Sequence, residues 1–347
     1  MKSKKFRSTL ITFGLVIAAF IACQVMISTG AMTRSLKGQL VPICAYVVMA
    51  VSLNLTVGIS GELSLGHAGF MSVGAFSGIV MAMWLSKGVG VENQTLCLLL
   101  AILTGGVAAG IAGVIIGIPV LRLRGDYLAI VTLAFGEIIR NVINCLYISL
   151  DGQSLHIAFN NPNVPGKLLV NGPAGATGVT KIATFGMGFA LVLFTLFVVL
   201  NLIDSRSGRA IMAIRDNRIA AEAMGLNVTK YKMMAFVTSA VLAGMAGALY
   251  GLNFSTVAAS KFKFDTSILV LVFVVLGGIG NIRGSIISAT LLTILPELLR
   301  AFANYRMLIY AIVLILVMLA TNNPTLRSMV QRIIPHKKGQ KKEADEA

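Results

Sequence analysis

Residues 39–58 read QLVPICAYVVMAVSLNLTVG, twenty residues without a charged side chain. A helix of about 20 apolar residues crosses the roughly 30 Å hydrocarbon core of a bilayer, so this stretch predicts a transmembrane helix. Similar stretches recur along the 347 residues, of which 56% are hydrophobic and 12% are charged. A soluble domain carries about 25% charged residues. The chain is therefore predicted to be an all-α membrane bundle of about ten transmembrane segments.

The predicted spans are apolar runs separated by polar or glycine-rich breaks. They cover residues 9–29, 39–58, 65–85, 95–117, 127–147, 185–203, 233–252, 267–281, 285–302 and 307–322. The glycine-rich residues 277–285 supply a reversal, because clustered glycines break helices. The two crossings beside this turn are short, so a pair of broken or re-entrant helices is an alternative.

The formal net charge is +16, and the basic residues fall mostly between apolar runs and at the two termini. This distribution follows the positive-inside rule, so the charge indicates orientation and not nucleic-acid binding. It predicts a basic cytoplasmic N-terminus at 1–8, a transmembrane domain at 9–322 and a charged cytoplasmic tail at 323–347. Within the domain, 150–184 is predicted to lie outside and 204–232 in the cytoplasm.

No catalytic or metal site is expected in this chain. The sequence contains no G-x-x-x-x-G-K-[ST], H-E-x-x-H or G-x-S-x-G motif. The four cysteines lie singly in or beside apolar runs, without metal-ligand spacing. They are Cys23, Cys44, Cys97 and Cys145.

The loop at 205–232 predicts a short amphipathic helix. Asp216 or Asn217 can cap it, and Gly225 can end it. Arg218 and Glu222 lie one turn apart on its polar face. The apolar stripe consists of Ile219, Ala220, Ala223 and Met224. Its small side chains favour a shallow protein groove, whereas a helix lying on lipid, the alternative, would use larger residues.

Five sequence blocks carry a resemblance to a known family. One is AIRDNRIAAEAMGLNVTKYKMMAFVTSAVLAGMAGALYG at 213–251. The others are NLTVGISGELSLGHAGFMSVGAF (54–76), GDYLAIVTLAFGEIIR (125–140), NGPAGATGV (171–179) and VLGGIGNIRGS (275–285). These blocks resemble the permease subunits of ATP-binding cassette importers for branched-chain amino acids, Liv type, M subunit, and they follow that family's order from about residue 40 to about 320. The resemblance implies a permease fold in the cytoplasmic (inner) membrane of a bacterium, crossing it many times, with both termini in the cytoplasm.

The resemblance also implies partners and a docking site. The partners are two ATPase subunits, which bind ATP and magnesium, a second related permease subunit and an extracytoplasmic solute-binding protein. The cytoplasmic loop would be the coupling helix that docks on an ATPase subunit. Its residues here are Arg215, Asp216, Asn217, Arg218, Ala220, Ala221, Glu222, Ala223 and Gly225.

Polar residues inside the spans are candidates for the translocation pathway, since such groups are costly in lipid. They are Asn54, Glu62, Ser64, His67, Ser72 and Thr132. Glu62 is expected at the cytoplasmic rim of a span, hydrated or capping a helix that starts near Leu63. His67 either has a structural role, with a hydrogen bond to a backbone carbonyl, or takes part in gating or lines the pathway. Glu137 and Arg140 are expected to form an ion pair on one helix face.

The outer segment 150–184 is too long for a tight connection. It predicts a folded cap or a docking surface for the binding protein, and a plain linker is the alternative. The expected substrates are leucine, isoleucine and valine. One alternative is a permease for urea or short amides, because those permeases are similar. The second alternative is a secondary transporter that works without ATP and uses Glu62 or Glu137 as a proton relay.

Overall fold

The computed structural model describes residues 2–30, 32–123 and 125–299, together with 308, 311, 312 and 315. The predicted tail at 323–347 lies outside the described residues, as does nearly all of the predicted span at 307–322. The chain divides into two compact units, residues 1–294 and residues 295–347.

The described chain is mainly helical. Its helices are α1 (Lys2–Ser28), α2 (Arg34–Asn54), α3 (His67–Met83), α4 (Gln94–Val120), α5 (Asp126–Asn144), α6 (Phe185–Asp204), α7 (Arg206–Asp216), α8 (Arg218–Ala223), α9 (Val228–Gly251), α10 (Phe264–Gly277) and α11 (Ile282–Leu298). Wider π-helical turns extend α2 through Leu55–Ile59 and α3 through Trp84–Val89. The basic N-terminal residues are part of α1.

Six helical stretches among the described residues are long and apolar enough to cross a membrane. They are Arg34–Ile59, His67–Val89, Gln94–Val120, Tyr127–Asn144, Phe185–Asp204 and Val228–Gly251. Thr12–Ser28 and Phe264–Gly277 are shorter apolar helices. The described residues thus confirm a multi-span helical bundle but not the predicted count of about ten.

Helices α3, α4 and α9 pack against one another at the centre of the bundle. Small residues permit this close packing: Gly74 on α3 faces the backbone of Gly244 on α9, and Gly247 on α9 faces the carbonyl of Met71. A Cβ atom at either glycine would collide with backbone that cannot move aside. Small residues allow helices to approach in lipid, where burial of apolar side chains gains little.

A five-stranded antiparallel sheet covers one end of the bundle. Its strands are β1 (Leu146–Asp151), β2 (Ser154–Phe159), β3 (Lys167–Asn171), β4 (Ala176–Thr177) and β5 (Thr256–Val257), in the order β2-β1-β3-β4-β5. Residues 150–184 therefore contain folded structure, as predicted for a cap. The all-α prediction missed the sheet, and the predicted span at 127–147 ends too late, because α5 stops at Asn144 and Leu146 already pairs with Phe159.

The sheet and the short helices α7 and α8 lie at opposite ends of the bundle. Helix α6 begins after the sheet and leads directly into α7, and its 20 residues span about 30 Å. We call these the sheet end and the α7–α8 end.

The turn between α10 and α11 lies at the α7–α8 end, and it confirms the predicted reversal at 277–285. Helix α10 ends at Gly277, and Gly278 and Gly280 both have positive φ. Helix α10 has only 14 residues, about 21 Å, and it follows a short 3-10 helix at Ala259–Phe262, which comes soon after β5. On its own, α10 is therefore shorter than the roughly 30 Å hydrocarbon core.

Candidate functional site

Residues 60–66 form an irregular segment between α2 and α3. Helix α3 begins at His67, four residues later than the expected start near Leu63. The segment is held inside the bundle, because the amide of Leu65 donates to the hydroxyl of Thr132 on α5 at 3.0 Å. Gly66 lies directly against the backbone of Thr132. The segment thus carries the chain inward before α3 starts.

Glu62 belongs to this segment and is buried, with 8% exposure. Its carboxylate forms an ion pair with Lys232 in the second turn of α9. Its amide donates to the carbonyl of Thr56 at 3.0 Å. The expectation of a hydrated carboxylate at a helix start was therefore wrong, because Lys232 reaches it from the neighbouring helix.

His67 is also buried, and its Nε2 lies 2.8 Å from the hydroxyl of Ser52 on α2. The expected partner was a backbone carbonyl, so this part of the interpretation was wrong. Next to it, the amide of Ala68 donates to the hydroxyl of Ser267 on α10 at 3.0 Å. The first residues of α3 are thus bound to two other helices.

Asn54 joins α2 to the turn between α10 and α11. Its Oδ1 accepts from the amide of Gly280 at 2.8 Å, and its Nδ2 donates to the hydroxyl of Ser285 at 2.9 Å. Gly58, one turn later, lies in direct contact with the backbone of Gly280. The buried side-chain amide of Asn54 therefore joins α2, the turn between α10 and α11, and the first turn of α11.

The six pathway candidates are all buried, between 0% and 8% exposed. Three of them lie at the segment 60–66. Glu62 belongs to it, His67 follows it directly, and Thr132 binds it from α5. Ser64 and Ser72 have buried hydroxyls without a hydrogen-bond partner among the described residues. Among those residues, no group of three possible metal ligands is present.

Arg215, at the end of α7, connects the short helices to this polar region. Its Nη1 donates to the carbonyl of Gly58 at 2.9 Å, and its side-chain carbons lie against Gly61. Gly61 has a φ of +75°, so a larger residue there would be strained as well as crowded. Arg215 also pairs with Asp216 at 2.9 Å. The guanidinium group thus faces the bundle.

Helix α8 has the cap and the ion pair that the sequence predicts. The side chain of Asn217 accepts from the amide of Ala220 at 3.0 Å, and Gly225 ends the helix with a φ of +80°. Arg218 and Glu222 are paired at 2.9 Å. Of the two predicted caps, Asp216 is the last residue of α7 and instead binds Arg215.

The apolar stripe of α8 faces away from the bundle. Ile219 is 80% exposed and Met224 is 82% exposed, and Ala220 and Ala223 are exposed between them. On the opposite side, Ala221 is buried in a cluster with Ile214 of α7 and Val228 of α9. The helix is thus anchored on one face and presents an apolar surface on the other.

Sequence reasoning missed several partners in these contacts. They are Ser52, Lys232, Ser267, Gly280 and Ser285. Lys232 carried a signal, since a lysine four residues into α9 must reach either water or a buried anion. The serines carried none, because single hydroxyl residues are common in membrane helices.

Comparison with known proteins shows which family the sequence matches. The sequence matches the family described as branched-chain amino acid transport system, permease component, over residues 35–318. It is 33% identical over 339 residues to the high-affinity branched-chain amino acid transport system permease protein LivM of Salmonella typhimurium, covering 88% of this chain and 71% of that protein. The LivM protein of Escherichia coli is 33% identical over 308 residues, covering 79% of this chain and 66% of that protein.

A second kind of permease protein is also similar. The high-affinity branched-chain amino acid transport system permease protein LivH of Salmonella typhimurium is 26% identical over 293 residues, which cover 79% of this chain and 88% of that protein. No solved structure matches the chain.

Proposed function

Because the chain belongs to the permease family of branched-chain amino acid transport systems, we propose that it is one membrane subunit of an ATP-driven importer for leucine, isoleucine and valine. The observation that carries the proposal is the surface of α8, formed by Ile219, Ala220, Ala223 and Met224. This helix is capped, anchored in the bundle and apolar on its free face. Such a face fits a groove on a partner protein.

The partner at α8 is an ATPase subunit. The chain lacks the G-x-x-x-x-G-K-[ST] motif, so ATP and magnesium are bound by two partner subunits and not by this chain. The similarity to both LivM and LivH supports pairing with a second, related permease subunit. An extracytoplasmic binding protein delivers the amino acid. The relatives favour this function over a urea or short-amide permease and over a transporter that works without ATP.

The protein is a multi-span membrane protein, and we propose its orientation in the cytoplasmic membrane from the basic loops. The α7–α8 end carries Arg206, Arg209, Arg215 and Arg218, and therefore faces the cytoplasm. The sheet end then faces outward, where it meets the binding protein. Both termini lie in the cytoplasm, and about ten segments cross the membrane when the shorter helices are included.

The buried polar contacts at the α7–α8 end close the translocation pathway in this arrangement. Asn54, Glu62 and His67 tie α2, α3, α9 and the turn before α11 together. Ser64, Ser72 and Thr132 lie in or beside the same part of the chain. We propose that these contacts separate when the pathway opens toward the cytoplasm, which would expose the unpaired hydroxyls of Ser64 and Ser72.

Replacing both Ile219 and Met224 with aspartate is expected to lower ATP-driven leucine uptake to about a tenth or less. Charges at the centre of a docking surface remove the apolar contacts that dominate its binding energy, typically 2 kcal/mol or more for one central residue. The measurements are uptake into proteoliposomes and co-purification of the ATPase subunit.

The matched control is Ile219→Val with Met224→Leu, which keeps the surface apolar and is expected to behave like the unmodified protein. If the aspartate variant still held the ATPase subunit and transported leucine at the normal rate, α8 would not be the docking helix.

A further inference from the structure

Strand β2 carries three exposed apolar side chains at the edge of the sheet. Ile157 and Phe159 are each 64% exposed, and Leu155 is 38% exposed. The strand reads SLHIAF, without an acidic residue, lysine or arginine, and it stands last in the strand order of the sheet. Edge strands that face water usually carry charged residues, because an apolar edge associates with other chains. These three side chains, the β2 stripe, therefore indicate a surface that is covered by something other than water.

The β2 stripe continues the face of the sheet that packs on the bundle. Ile157 lies directly opposite Ile148 of β1, and Leu155 lies opposite Leu150. Residues directly opposite in an antiparallel pair share one face of the sheet. On β1 this face is buried at both positions, and β1 and β3 contact α3 and its π-helical extension. The same apolar face is thus covered on β1 and uncovered on β2 within the described chain.

The other face of the sheet is turned toward solvent. Ser149 of β1 lies on that face, and its hydroxyl donates to the carbonyl of Pro165 at 2.6 Å. Pro165 belongs to the loop 160–166, in which every residue except Val164 is exposed. Because this loop lies on the solvent side, the face with Ile157 is turned toward the bundle. Strand β2 extends past the edge of the bundle, so the β2 stripe faces the membrane.

Both ends of β2 lie level with the ends of membrane spans. At one end, the amide of Asn160 donates to the carbonyl of Cys145, one residue after α5, at 2.8 Å. At the other end, Nε1 of Trp84, in the π-helical extension of α3, donates to the carbonyl of Gln153 at 2.9 Å. Tryptophan is enriched at the membrane–water interface. The strand, about 20 Å long, therefore lies along the membrane surface.

We propose that β2 lies in the headgroup region of the bilayer at the sheet end, with the β2 stripe inserted toward the lipid acyl chains. Lipid fits this position better than a soluble protein does, because the stripe faces the membrane and offers no charged side chain. The backbone edge of β2 stays among the hydrated headgroups, where water can bind its unpaired N–H and C=O groups. The solvent face of the sheet remains accessible to a soluble partner. The proposal does not depend on which solute is transported.

Photo-crosslinking tests this contact in the chain assembled with its partner subunits, in nanodiscs of phosphatidylethanolamine and phosphatidylglycerol. Ile157 or Phe159 is replaced by p-benzoyl-phenylalanine, which couples to nearby C–H bonds on irradiation. Mass spectrometry should show a lipid adduct on β2 in both variants, and addition of the loaded binding protein should leave that adduct unchanged. Ile111, which is 58% exposed in the middle of α4, is the positive control for a lipid adduct.

His156 is the matched control, because it lies between Leu155 and Ile157 but on the opposite face of the same strand. The same probe at His156 should lose the lipid adduct. The proposal is overturned if the probes at Ile157 and Phe159 couple to the binding protein or to the second permease subunit in place of lipid. It is also overturned if they give no lipid adduct where Ile111 gives one, or if His156 gives as much as Phe159.

Discussion

Replacing Lys232 with methionine is expected to lower the free energy of unfolding by about 3–5 kcal/mol, the range found when one member of a buried ion pair is removed. Glu62 and Lys232 are only about a tenth exposed, so the carboxylate would remain buried without its cation. The loss is measurable as a lower midpoint of thermal unfolding in detergent and a smaller folded fraction after purification.

The control for this variant is the double replacement Glu62→Gln with Lys232→Met. It removes both charges, so the uncompensated carboxylate disappears and most of the stability should return. Methionine also retains much of the lysine stem that packs along the bundle. Equal losses for the single and the double variant would show that the ion pair does not fasten the segment 60–66 to α9.

Replacing Arg215 with methionine is expected to reduce the leucine imported per ATP hydrolysed by about tenfold. The guanidinium connects α7 to the carbonyl of Gly58, and a hydrogen bond to a charged group contributes about 1.5–3 kcal/mol. Methionine keeps the carbons that lie against Gly61. If α8 docks as proposed, a movement of α8 would then be passed less effectively to the polar contacts of Asn54 and Glu62. The measurement is uptake and ATP hydrolysis in the same proteoliposomes.

Arg209→Met is the matched control, because Arg209 also lies in α7 but, among the described residues, donates only to the nearby carbonyl of Asp204 at an exposed position. It should leave the coupling ratio within about twofold of the unmodified value, as surface substitutions usually cost less than 0.5 kcal/mol. Arg215→Lys should recover part of the ratio, since it restores a cation at the same place. If Arg215→Met left the leucine imported per ATP hydrolysed unchanged, Arg215 would have no role in coupling α7 and α8 to the bundle.

The α8 region was predicted well because its determinants are local. A capping residue, a glycine stop and an i,i+4 ion pair act within a few residues, and the structure contains all three at Asn217, Gly225 and Arg218–Glu222. The turn at 277–285 was predictable for the same reason.

The start of α3 could not be predicted, because it depends on distant residues. The segment 60–66 is held inside the bundle by contacts with residues far along the chain, among them Thr132, Arg215 and Lys232, which the local sequence does not reveal. The sheet was missed because Leu146–Leu150 continues the apolar run of α5. Its strand character arises from pairing with β2 and β3, which residue composition alone does not reveal.

We propose that this chain transports branched-chain amino acids only when a partner subunit hydrolyses ATP. The most direct measurement is leucine uptake into proteoliposomes that contain this chain, the related permease and the ATPase subunits, with the loaded binding protein outside. Uptake should require ATP inside and cease with a non-hydrolysable analogue or without the ATPase subunits. Leucine accumulation by the two permease chains alone would contradict the account.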